Sequence, residues 1–187
     1  MFRNHLILVI GILSLFACTP KESTQVIILD ETAYTLSIEE VIEIDSVWAG
    51  HRVGFCLYTH GDRQYIAYYN ATRNMVVGQR NLDDENFELH QMPITSRKTA
   101  GGTSTVLGWD SHNYVTIGID REGFIHLSGN MHVHPITYFK STVANDISTL
   151  VQEMELVGTH EKRCTYPHFM LTKEGELLLH YRDGGSG

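Results

Sequence analysis

From Thr24 onward the hydrophobic period is two, and this limits what the chain can fold into. Residues 53–58, 65–69, 75–79, 114–119, 124–128, 168–172 and 176–181 are short runs rich in β-branched and aromatic residues, bounded by Gly, Asn or Asp. Such runs read as antiparallel strands joined by tight turns. Helical spacing shows weakly, and only over 147–156. Three joins look alike, at 70–74, 120–123 and 172–175, and Gly123 and Gly175 supply the positive φ that such hairpins need. Asn74, Gly123 and Gly175 lie 49 and 52 residues apart. A repeat near fifty residues is the length of one four-stranded propeller blade. The fold class predicted is therefore all-β, a β-propeller of four-stranded antiparallel blades. About 165 residues follow the leading segment, enough for roughly three blades, whereas closed propellers have about 4–8. The chain thus reads as an incomplete propeller; a compact three-repeat sandwich is the alternative.

The leading segment has a different character. Arg3 precedes an apolar run over 6–16, and small Ala17 stands directly before Cys18. Eleven residues are too few for a permanent bilayer helix, which needs about 20, but they suit a secretory signal. Residues 1–17 are read as a lipoprotein signal peptide with Cys18 as the lipidation site, 18–44 as a tether and first strand region, and 45–187 as the incomplete propeller. Lys21-Glu22 is similar to the export tags of some surface lipoproteins. The expected location is the outer membrane or cell surface of a bacterium, held by the lipid on Cys18. An ordinary signal peptide with an incidental Cys would instead give a secreted or periplasmic protein.

Composition excludes several classes. With 42% apolar residues the chain can bury a core, so disordered, collagen-like and coiled-coil readings fall away. A formal charge of −8, with Lys and Arg scattered singly, leaves no basic face for nucleic acid. After Cys18 only Cys56 and Cys164 remain. They could pair in an oxidising compartment, but their spacing reads more simply as two small buried hydrophobes. No CxxC or HxxxH spacing supports zinc, and neither a metal nor a cofactor is expected.

Chemistry belongs where polar residues crowd at strand ends. The segment 108–114 leads into one strand and 127–132 closes the next. In an up-and-down pair these share one edge, so His112 and Asn113 are expected to meet Asn130 and His132. One repeat later Tyr181 and Arg182 hold the corresponding place, and Tyr181 is expected to point into the same funnel. Trp109 could stack on a sugar ring.

Several motifs in one order, at 46–51, 59–65, 109–114, 128–132, 165–167 and 181–187, closely resemble the BNR-4 repeat proteins, which include the ulvan lyases of polysaccharide lyase families 24 and 25. That family's members are longer, seven-bladed propellers, so the resemblance implies an N-terminal part of one. It implies cleavage of an acidic, sulfated, uronate-containing polysaccharide by β-elimination, with His112 and Tyr181 as the acid–base pair. Asn113, Asn130 and His132 would hold the substrate carboxylate, and Arg182 would stand in weakly for the family's neutralising Arg. An imidazole, whose ordinary pKa is about 6.5, suits a base at neutral pH. A phenol, near 10, serves as the acid or needs a neighbouring cation to act as base. Two other readings stay open: a non-catalytic surface sugar-binding propeller, and a sialidase-like glycoside hydrolase, which would need free carboxylates or a Tyr nucleophile. Asp110 and Asp183 are the only well-placed carboxylates for the latter.

Overall fold

Alternating side chains and turn residues at regular intervals convert almost every predicted run into a strand. The computed structural model describes residues 27–28, 35–38, 40–94 and 104–185. The predicted signal peptide and Cys18 lie outside the described residues. The chain divides into two units, Met1–Val41 and Ile42–Gly187. Within the first, β1 (Ile27–Ile28) and β2 (Thr35–Leu36) form an antiparallel pair.

Among its described residues the second unit holds three antiparallel sheets. In the first, β3 (Cys56–His60), β4 (Arg63–Tyr69), β5 (Met75–Asn81) and β6 (Glu88–Gln91) follow one another as a four-stranded meander. The second contains β7 (Val115–Ile119), β8 (Ile125–Gly129), β10 (Tyr138–Ser141) and β11 (Leu150–Glu153). Between β8 and β10 the chain makes an excursion, β9 (His132–His134), which pairs with β12 (Cys164–Leu171) of the third sheet. That sheet is completed by β13 (Leu177–Asp183). The two four-stranded meanders are blades of the propeller type.

The three look-alike joins are one turn used three times. Asn70, Asp120 and Thr172 each donate a backbone N–H to the carbonyl four residues on, at 3.0, 3.1 and 2.9 Å. Each carbonyl in turn accepts from the N–H three residues on, that of Arg73, Gly123 or Gly175. Those last residues carry φ of 68°, 85° and 82°. The left-handed position of the first turn is thus Arg73, not Asn74, and the repeat of turn positions becomes 50 and 52 residues.

Burial follows from stacking sheet on sheet. Tyr65, Ala67, Tyr69, Met75 and Val77 of the first sheet pack against Val115, Ile117, Ile119, Ile125, Leu127 and Phe139 of the second. Met131, Ile136, Tyr138 and Cys164 start a second cluster joined by Phe169, Leu179 and Tyr181 of the third sheet. Every residue of β7 and β8 is buried, because both of their faces are covered. The weak helical spacing at 147–156 is not a helix. Ile147–Thr149 is one 3-10 turn, capped by Asp146 accepting from the N–H of Ser148 at 2.9 Å, and β11 follows at once. Ile147 and Leu150 are apolar three residues apart because both enter the core. Cys56 and Cys164 are free and sit in different clusters.

Candidate active site

The loop before β7 and the end of β8 meet on one edge, where the N–H of Asn130 donates to the carbonyl of Tyr114 at 3.2 Å. On that edge Asp110 organises two imidazoles. Its Oδ1 accepts from the backbone N–H of His112 at 2.9 Å and lies 2.6 Å from His112 Nδ1. Its Oδ2 lies 2.6 Å from His132 Nδ1. An ionised carboxylate only accepts, so both Nδ1 atoms carry hydrogen and both Nε2 atoms are left as the reactive nitrogens. The rings stack 4.0 Å apart at 19°. Burial works to raise the Asp110 carboxyl, but the hydrogen bonds from His112 and His132 and the nearby His132 charge overcome it and bring it down to about 2. Asp110, His112 and His132 also have the donor types and spacing of a metal-binding trio, all within 4.8 Å, though both Nδ1 atoms are already engaged by the carboxylate.

The third sheet brings a phenol and a guanidinium to the pair. Thr165 of β12 stands opposite His132 of β9 and Arg182 of β13. The pairing then slips between Thr165 and His168, where Pro167 has no N–H to offer the ladder. Inside this bulge Tyr166 takes φ of 59°. A bulge re-aims the side chain it carries. The Tyr166 ring lies 5.6 Å from that of His112 and 6.4 Å from that of Tyr114, and the Arg182 guanidinium sits 4.9 Å over it. Arg182 Nε is buried without a hydrogen-bond partner among the described residues.

Two imidazoles on one carboxylate, faced by a phenol under a guanidinium, lie at the edge of stacked blades. Over the same region, residues 63–187, the sequence matches the family described as BNR repeat-containing family member. The chain belongs to that family. No curated protein matches it. Among solved structures it is similar to an ulvan lyase of polysaccharide lyase family 25, at 18% identity and a TM-score of 0.51. It is similar too to that family's ulvan lyase bound to -[GlcA(1-4)Rha3S]-, at 16% identity and the same TM-score of 0.51. Each alignment covers 77% of this chain and 34% of the other, so the chain spans about a third of the length of these relatives. At such identities the likeness is one of fold.

In this BNR-family chain the residues singled out from sequence have separate fates. His112 and His132 converge. Trp109 stands 72% exposed, with its ring 4.8 Å from that of His51. Asn130 is 1% exposed, and its side-chain amide donates to the carbonyls of Ser104 at 2.6 Å and Val106 at 3.0 Å, so it ties the strand end to the preceding loop instead of facing a ligand. Asn113 is also buried, and its backbone carbonyl accepts from the Tyr69 hydroxyl at 2.6 Å. Tyr181 packs, half-buried, on the cluster of Met131, Ile136, Tyr138 and Cys164. Burial first, then the charges of Cys164, Glu161 and Asp183, push its phenol up. Arg182, expected to be a weak stand-in, sits over the Tyr166 ring. Sequence reasoning gives Asp110 a role only in the hydrolase reading and gives Tyr166 none of its own; the signals for Tyr166 are its place in the 165–167 motif and Pro167 breaking a strand run.

Proposed function

We propose that this chain carries the acid–base centre of a polysaccharide lyase that cleaves a sulfated, uronate-containing polymer by β-elimination. The observation that carries this reading is the Asp110 clamp on His112 and His132, faced by Tyr166 and Arg182. In the reaction His112 Nε2 takes the proton from C5 of the uronate, which is acidified by the adjacent carboxylate. The C5–H electron pair forms the C4=C5 bond, the C4–O4 bond breaks, and the Tyr166 hydroxyl supplies the proton that O4 needs. Arg182 neutralises the carboxylate as charge moves onto it, with His132 held by Asp110 on the same edge. The products are a 4,5-unsaturated uronate and a free hydroxyl on the departing sugar.

A glycoside hydrolase fits less well. Both oxygens of Asp110 are engaged by imidazoles, and Asp183 Oδ2 lies 2.8 Å from His160 Nδ1, so neither is a free member of a carboxylate pair. We read residues 1–17 as an export signal ending before a lipidated Cys18, which would bring the centre to external polysaccharide.

The test is ultraviolet absorbance of unsaturated uronate during incubation with ulvan. His112→Ala and Tyr166→Phe should each lower the rate by about 10²–10⁴-fold, whereas Tyr181→Phe should stay near the parent rate. A dead Tyr181→Phe beside an active Tyr166→Phe would return the acid role to Tyr181. Polymer binding with no absorbance change would leave a sugar-binding propeller.

A further inference from the structure

Thr165 stands between two bulges, and each bulge adjoins or carries a group of the reaction centre. In the pairing of β12 with β9, Cys164 is opposite His134 and Thr165 is opposite His132. Val133 is therefore an extra residue with no partner in the ladder. In the pairing of β12 with β13, the register slips after Thr165, where Tyr166 stands. Both residues are left-handed, Val133 at φ 56° and Tyr166 at φ 59°. For a β-branched side chain that conformation is strained, and it persists only where the surroundings hold it. The contact that holds Val133 is a hydroxyl. Its N–H, which the bulge takes out of the ladder, donates to Thr165 Oγ1 at 2.8 Å. Thr165 is fully buried, where an N–H deprived of that acceptor would have little water to turn to.

The residue before Val133 is His132, whose Nδ1 lies 2.6 Å from Asp110 Oδ2 and whose ring stacks 4.0 Å from that of His112. Turning Val133 back to negative φ would rotate the His132 peptide against β12 and lift the imidazole off the carboxylate. We propose that Thr165 is a positioning residue: its hydroxyl keeps the Val133 bulge left-handed and so seats the His132 ring on Asp110, against His112. It acts through Val133 and touches no substrate. Its effect on rate rests on the elimination reading above, whereas the seating of His132 does not.

The experiment compares Thr165→Val, Thr165→Ser, Val133→Gly and the double variant Thr165→Val/Val133→Gly. Two quantities are read: the ring nitrogens of labelled histidines by NMR, which report whether the His132 hydrogen is on Nδ1, and elimination kinetics on ulvan. Valine keeps the β-branched shape and removes only the hydroxyl, so Thr165→Val should lose the His132 Nδ1–H signal with circular dichroism unchanged. It should lower kcat about 10–10²-fold with little change in KM, the cost of a misplaced group near the reacting atoms. Thr165→Ser should restore both readouts. Glycine adopts positive φ without steric cost, so with Val133→Gly the hydroxyl becomes dispensable, and the double variant should regain the signal and most of the rate. A double variant as impaired as Thr165→Val would overturn the proposal, as would a Thr165→Val that keeps His132 on Asp110. Should Thr165→Val alone fail to fold, the double variant decides by the same signal. Histidine signals that respond as stated, in a parent that forms no unsaturated uronate, would uphold the positioning role and overturn the lyase reading alone.

Discussion

Asp110 is the residue on which the centre depends, because one carboxylate sets the tautomer of two rings. Asp110→Asn keeps the shape but offers only one acceptor oxygen, so one imidazole must turn its hydrogen to Nε2. The expected result is a loss of about 10²-fold in elimination rate, with circular dichroism unchanged. The sign of the pH effect follows from its depressed carboxyl. The folded value of about 2 lies below the ordinary 3.8, so the clamp contributes stability that is complete above the ordinary value. It is lost as pH falls through the folded one. Acid titration followed by the carboxyl signals in carbon NMR should find Asp110 still ionised, as one of a few, where most carboxyls are protonated, and the Asn variant should lack that signal. The sequence placed His112 and His132 at neighbouring strand ends. It could not show that a side chain two residues before His112 would reach both rings.

At the element scale, the turns were legible because their chemistry is local. Asp120 Oδ1 accepts from the N–H of Glu122 and Phe124, Asn70 Oδ1 does the same for Thr72 and Asn74, and the third residue on in each turn is left-handed. Gly123 also lies tight against Asn145, whose Nδ2 would be 3.1 Å from an added Cβ. Gly123→Ala should therefore cost about 1–3 kcal/mol in a urea melt, more than Gly175→Ala, where the nearest atoms are the flexible end of Arg121 at 3.6 Å. The bulge in β12 was not legible in this way. Alternation predicts Tyr166 on the face opposite Thr165, and only the slipped pairing with β13 brings it to His112. Tyr181, read by analogy as the active phenol, packs half-buried on the same face of β13 as Leu177 and Leu179.

Over the whole molecule, stability depends on polar groups buried between blades. His126 Nε2 lies 3.0 Å from Asp120 Oδ2, and its Nδ1 lies 2.5 Å from the Tyr138 hydroxyl. Lys140 stands 3.8 Å from the same Asp120 oxygen. Burial lowers the His126 pKa below its ordinary 6.5 despite Asp120, and Lys140 adds to the lowering. Burial, then Glu153 and Asp120, push the Tyr138 phenol up to about 12, so Tyr138 stays a donor to Nδ1. The unfolded chain therefore binds a proton that the folded chain refuses. Stability is complete above the ordinary histidine value and declines as pH falls below it. Thermal melts from about pH 7.5 down to about pH 5.5 should show a falling Tm that His126→Phe flattens. The amino-acid sequence by itself determined the all-β class, the strand periodicity, the fifty-residue repeat and the edge where two histidines meet, because these depend on alternation and on turns a few residues long. Tertiary structure alone decided which phenol lies against His112 and which cation covers that phenol, and that Asn113 and Asn130 are buried. Those choices depend on strand register and on loop packing, where one slipped pair exchanges the exposed face for the buried one.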